Sequence, residues 1–284
     1  MSFAISEPEV LVSGIQTPEG PAFDSDGNLY WVNWELHSIM RRTPAGEVSE
    51  IFNTGGIPAG LAFGEDGWLY IADEGDDIHG ILRILPDGSK SEIVVNHYRN
   101  QPLNGANDLV FDANGVLYFS DPWRSSLDNP IGGFCRLMPD GELDVVDSGL
   151  CFPNGVAVSA DNSYVYLAET QRNRILRYLI NGDGTHGPRE HWADTTLPSG
   201  PDGMCFAASG ELLVAHHAGS GIDVFGTNGK QTGFISIPGR FTTNCCFGGP
   251  NNSTLIVTDV DTQSIYSVET TLKGQPLKDG RIHL

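Results

Sequence analysis

Six times along the chain the same short phrase recurs. The copies are PEGPAFDSDGNLYWVN from Pro18, PAGLAFGEDGWLYIAD from Pro58, ANDLVFDANGVLYFSD from Ala106, PNGVAVSADNSYVYLAE from Pro153, PDGMCFAASGELLVAH from Pro201 and TNCCFGGPNNSTLIVTD from Thr243. Each holds a short apolar strand, a Gly- or Asx-bearing turn and a second apolar strand, which is a hairpin signal. A third run follows in each unit (SIMRRT, GILRIL, GFCRLM, RILRYL, GIDVF, SIYSV), and several units continue through another turn into a fourth run such as VSEIF or SEIVV. No segment keeps a helical period over three turns.

Fixed-period self-similarity of this kind decides architecture. Four antiparallel strands repeated six times predict an all-β, six-bladed β-propeller. The spacing leaves no room for a second domain, so residues 1–284 are read as one. Little chain follows the third strand of the last unit. The N-terminal run EVLVSG is therefore expected to supply the outer strand of the last blade, closing the ring and removing its open edges.

The formal net charge is -20, from 16 basic and 36 acidic residues spread along the chain. Such a surface repels phosphate backbones and anionic lipid, so nucleic-acid and membrane partners are not expected. MSFAISEPEV has no basic segment followed by an apolar run, which argues against a secretory signal. Cys135, Cys151, Cys205, Cys245 and Cys246 are odd in number and form no CxxC pair. They read as reduced, mostly buried thiols, consistent with a cytoplasmic protein.

The residues that open the six phrases are Glu19, Ala59, Asn107, Asn154, Asp202 and Asn244. By pseudo-sixfold symmetry all six should point into the central channel at one depth. Two carboxylates brought together there without a Lys or Arg would be costly. A divalent cation resolves that cost. Oxygen-only donors suit calcium first, with magnesium, manganese, iron or zinc as alternatives, and the absence of Cys and His argues against structural zinc. Ala59 has no donor, so its sector is expected to leave room for a substrate.

A second ring follows from the ends of the second strands: Asn33, Asp73, Asp121, Glu169, His216 and Asp259. It should lie on the same face, further from the axis. These residues either hydrogen-bond strand ends or line the pocket, and His216 could also carry protons. Candidate substrate contacts are Asn104, Asn107, Asp121, His216 and Asn244. Two motifs are dismissed. The GxGxxG match in NGDGTHG opens no helix, and DSDGN lacks the Glu that closes a calcium loop.

The phrases EGPAFDSDGNLYWV, LNGANDLVFDANGVLYFSDP, FPNGVAVSADNSYVYLAET, GPDGMCF and TNCCFGG resemble the SMP-30/gluconolactonase/luciferin-regenerating family over nearly the whole chain. The resemblance implies a propeller with one catalytic divalent cation in its channel. It implies Glu19, Asn154 and Asp202 as direct ligands, Asn107 as a ligand or substrate contact, and Asp202 as a general base. It implies a hydrolase opening sugar lactones to aldonic acids. A phosphotriesterase of the same fold, or a non-catalytic propeller stabilised by its ion, are the alternatives. Asn33 departs from the Asp that many members carry after YWV.

Overall fold

The computed structural model describes residues 3–196, 198–276 and 280–283. Their strands assemble into six four-stranded antiparallel sheets, as the repeat predicts. Blade 1 is Pro18–Phe23, Leu29–Asn33, Ser38–Arg42 and Val48–Asn53. Blade 2 is Pro58–Phe63, Leu69–Asp73, Gly80–Ile84 and Ser91–Val95. Blade 3 is Leu109–Phe111, Leu117–Asp121, Gly132–Leu137 and Leu143–Leu150. Blade 4 is Pro153–Val158, Tyr164–Glu169, Arg174–Leu179 and Glu190–Asp194. Blade 5 is Pro201–Phe206, Leu212–His216, Gly221–Phe225 and Gln231–Ser236.

Blade 6 takes three strands from the end of the chain, Thr242–Gly248, Thr254–Asp259 and Ser264–Glu269. Its fourth strand is Glu9–Ser13, which pairs Val10 with Tyr266 and Ser13 with Ser264. The expected closure by EVLVSG is therefore present, and it covers the edge that Ser264–Glu269 would otherwise expose. The only helical turns among the described residues are the short 3₁₀ segments Trp34–Leu36 and Thr170–Arg172. A small hairpin of His97–Tyr98 with Gln101–Pro102, not expected from the repeat, precedes blade 3.

The apolar core divides among the seams between blades. Alternate residues of one strand face opposite neighbours. In blade 1, Tyr30 and Val32 pack with Leu61, Leu69 and Ile71 of blade 2, while Leu29 and Trp31 pack with Ile256 and Ile265 of blade 6. Each middle strand is thus apolar on both faces, and Trp31 is 0 % exposed. This is why runs such as LYWV and LYIA lack polar alternation.

Two local devices aim the phrase openers at the axis. The pairing of the first two strands shifts register just after the opener in four blades: between Glu19 and Ala22, Pro58 and Leu61, Pro153 and Val156, and Pro201 and Met204. Such a bulge bends the strand and redirects a side chain. The second device is the glycine after the opener. A Cβ on Gly155 would collide with the backbone oxygen of Asp202, and one on Gly60 would lie 2.7 Å from the backbone oxygen of Asn107. Glycine there lets neighbouring first strands close tightly around the channel.

Candidate metal centre

The opener ring exists, and its members differ in what they offer. Glu19 and Asn107 keep a limited surface toward the channel, while Ala59, Asn154, Asp202 and Asn244 are buried. Glu19 accepts the N–H of Gly20 on Oε2 at 2.9 Å and a hydrogen bond from the Asn244 amide. Asp202 accepts one from the Asn154 amide. Asn244 turns its Oδ1 to the N–H of Cys245 at 2.8 Å. Its oxygen is engaged by its own strand and its amide supports Glu19, so it stands behind the acid rather than beside it.

Two further carboxylates belong to the centre, and the repeat reading passed over both. Asp108, 8 % exposed, occupies the position that is glycine in four of the other phrases. Its Oδ2 accepts the N–H of Val156 at 2.8 Å, which ties blade 3 to blade 4 beneath the ring. The break in the glycine pattern at Asn107-Asp108 is the signal that marks it. Glu74, 2 % exposed, follows the second strand of blade 2. Its Oε1 accepts the Asn107 amide at 2.9 Å and its Oε2 accepts Trp34 Nε1 at 3.4 Å. The sector expected to be open above Ala59 is thus held by a carboxylate of the same blade, bracketed by side chains of blades 1 and 3.

All four acids have a raised proton affinity, and in Glu19 and Asp202 the neighbouring acids contribute to it. Burial, then the charges of Asp108 and Glu74, pushes Glu19 up to about 8 against the opposing hydrogen bonds. Burial and the charges of Glu19, Asp108 and Glu74 raise Asp202 as well. Burial alone carries Asp108 to about 7, opposed by the N–H groups of Val156 and Leu109. Burial first, with the charges of Asp73 and Asp121, lifts Glu74 to about 7, opposed by Asn107 and Trp34. Among the described residues, no lysine or arginine forms an ion pair with any of the four. Anions packed together without a counter-charge bind protons or a cation. No three His, Cys, Asp or Glu side chains among the described residues form a cage by themselves, so a cation here would need the amide oxygens too. Mixed carboxylate and amide oxygen suits a hard divalent ion.

The second ring serves the first through the backbone. Asp73 accepts the N–H groups of Ile57 and Gly75, each at 2.8 Å. Asp121 accepts those of Asn104 at 3.0 Å and Gly105 at 2.7 Å. Glu169 accepts that of Cys151 at 2.8 Å. Each acid thereby clamps the segment that leads into its own blade's first strand and sets where the opener begins. Asn104 donates its amide to the backbone oxygens of Asp121 and Ile131. The candidate contacts Asn104 and Asp121 thus fasten each other, the Asp121 carboxylate holding the 104–105 backbone and the Asn104 amide holding the backbone of Asp121 and Ile131. His216, another candidate contact, points Nδ1 to Asp223 of the next strand outward at 2.9 Å, while its buried Nε2 has no hydrogen-bond partner among the described residues. That carboxylate, opposed by burial, raises the imidazole's proton affinity.

A cavity of about 1340 Å³ lies on the opposite face of the ring, lined by Phe23, Phe63, Phe111, Phe206 and Phe247. It reaches the underside of the centre at Asp108 and Asn244. It is the far half of the channel; the carboxylates rather than the volume mark where chemistry is set up. The dismissed motifs behave as turns, with Asp24 capping the N–H groups of Asp26 and Asn28, and Gly184 closing a tight turn on Asn181. All five cysteines are free.

A closed six-bladed propeller with a ring of buried carboxylates and amides at one mouth of its channel is the class that fold and site define. A family model described as the SMP-30/gluconolactonase/LRE-like region matches residues 17–261, and the chain belongs to that family. It is 33% identical over 272 residues to the gluconolactonase of Zymomonas mobilis, covering 84% of this chain and 75% of that one. It is 29% identical over 296 residues to the diisopropyl-fluorophosphatase of Loligo vulgaris, covering 93% and 92%. Among solved structures, a gluconolactonase from Xanthomonas campestris superposes with a TM-score of 0.81 at 25% identity, covering 93% of this chain and 89% of the other.

Proposed function

We propose that the chain is a metal-dependent hydrolase that opens sugar lactones to aldonic acids. The observation that carries this reading is the pair Glu19 and Asp202, held together in the channel with no cationic partner, in a chain that belongs to the SMP-30/gluconolactonase/LRE-like family. Glu19, Asn107, Asn154 and Asp202 hold one divalent cation, calcium first among the candidates. Such an ion, when bound, polarises an ester carbonyl and stabilises charge developing on its oxygen. Asp202 takes the proton of the attacking water on a carboxylate oxygen. Its surroundings suit that task, because burial and neighbouring acids raise its proton affinity above that of an ordinary carboxylate. Glu19 supplies the second negative charge, kept in place by Gly20 and Asn244.

The likeness to a diisopropyl-fluorophosphatase over 92% of that protein supports a second reading, hydrolysis of phosphotriesters at the same centre. A panel of aldonolactones, a fluorophosphate and an aryl phosphotriester separates the two. Chelator-treated protein should lose lactone hydrolysis and regain it with a divalent salt, and Asp202→Ala should be inactive. Full activity in Asp202→Ala would remove the assigned base. Chelation that lowers the melting temperature, with no hydrolysis of any panel member by the untreated protein, would leave a non-catalytic propeller.

A further inference from the structure

Glu74 has no counterpart in the repeat, yet it is the buried carboxylate that contacts the proposed ligand Asn107 directly. An asparagine side chain can present either its oxygen or its NH₂ to the channel, and the choice is made by what the other end meets. Here the Nδ2 donates to Glu74 Oε1 at 2.9 Å, which turns Oδ1 away from Glu74. Glu74 is itself fixed. Its backbone N–H donates to Ile57 O at 2.8 Å, its Oε2 receives Trp34 Nε1, and its Cα abuts the Gly105 backbone, where a Cβ would lie 2.9 Å away. The carboxylate is therefore held by blade 1, by its own blade and by the loop that carries Asn107.

We propose that Glu74 is a positioning residue for the cation centre: it locks the Asn107 amide so that the oxygen, and not the NH₂, faces the ion. The assignment rests on the metal-centre reading given above. Outer partners of metal ligands act in this way, by fixing orientation and raising the donor strength of the ligand. Glu74 belongs to the blade whose own opener, Ala59, offers no donor. Blade 2 thus serves the centre through blade 3.

The test is a double-mutant cycle read on cation affinity rather than on turnover. Calcium binding is measured by competition with a fluorescent chelator for the wild type, Glu74→Asp, Glu74→Gln, Asn107→Ala and both double variants, each checked for cooperative thermal unfolding. Glu74→Asp keeps the charge and loses the reach. It should weaken binding roughly 10- to 100-fold in the wild-type background. In the Asn107→Ala background it should change binding by less than about threefold. Glu74→Gln reports the charge, and its effect should persist in part without Asn107. Equal factors for Glu74→Asp in both backgrounds would overturn the positioning role while leaving the metal centre intact. A wild-type chain that binds no divalent cation would overturn both.

Discussion

Replacing Glu19 by glutamine should make the cation-free chain more stable as pH rises, while removing its response to metal. In the fold the Glu19 carboxyl is pushed from 4.5 up to about 8, chiefly by burial. A group whose folded value is raised contributes stability below its unfolded value and loses it as pH rises through the folded one. The window here runs from about 4.5 to about 8. At pH 7 the unfolded chain would be ionised at this position and the fold would still favour the proton. The loss by then is a little over 3 kcal/mol, from about 2.5 pH units at about 1.4 kcal/mol each, slightly reduced because the folded group has begun to ionise. Glutamine cannot titrate and should escape that loss. A pH-independent penalty for the hydrogen bonds it makes less well cancels when two pH series are subtracted. For a chain of this length 3 kcal/mol is roughly 6 °C in melting temperature. The assay is thermal unfolding of chelator-treated wild type and Glu19→Gln from pH 5 to 8, followed by calcium addition. The wild-type melting temperature should fall relative to the variant by about that amount, and calcium should restore it in the wild type only. Parallel pH curves would refute the reasoning, because they would mean that Glu19 is not held against ionisation.

The remaining predictions probe the frame around the centre. Gly155→Ala would drive a methyl into the Asp202 carbonyl, a backbone contact that side-chain rotation cannot relieve. It should cost about 2 kcal/mol or more and diminish the calcium-induced rise in melting temperature; an unchanged melt and response would count against the close approach of blades 4 and 5. Removing residues through Ser13 takes away the strand paired with Ser264–Glu269. The truncated chain should melt lower and self-associate through its exposed edge, whereas an unaltered melt and elution volume in size exclusion would show that this strand is dispensable.

Much of the centre was legible because the repeat makes equivalent positions visible. Glu19, Asn154 and Asp202 fall at equivalent places in first strands, with register shifts and following glycines that are local, and Asn107 and Asn244 align with them in the repeat. Asp108 was legible too, as the carboxylate that interrupts a run of glycines, although it was not assigned. Glu74 was not legible. It lies one residue past the aligned strand end, and its meaning comes from Asn107 and Trp34, both some 30 to 40 residues away along the chain. The second ring was seen as a set of residues without its purpose. That Asp73, Asp121 and Glu169 each clamp a backbone segment leading into a first strand depends on where those segments fold back.

Periodicity, strand pattern and turn chemistry were enough for the six blades and the N-terminal closure, because these follow from a unit of about 45 residues and its repetition. Which polar atom of each side chain is engaged was decided only when the segments folded back and the blades met. Asn244 is turned to its own strand and, across the seam between blades 6 and 1, to Glu19, while Asp121 meets the folded-back 104–105 backbone and His216 Nδ1 meets Asp223 inside their own blades. The raised proton affinity of Glu19 and Asp202 is likewise a tertiary property. The repeat brings the two acids together on paper, but their burial and the added charges of Asp108 and Glu74 come from separate blades and arise only on folding.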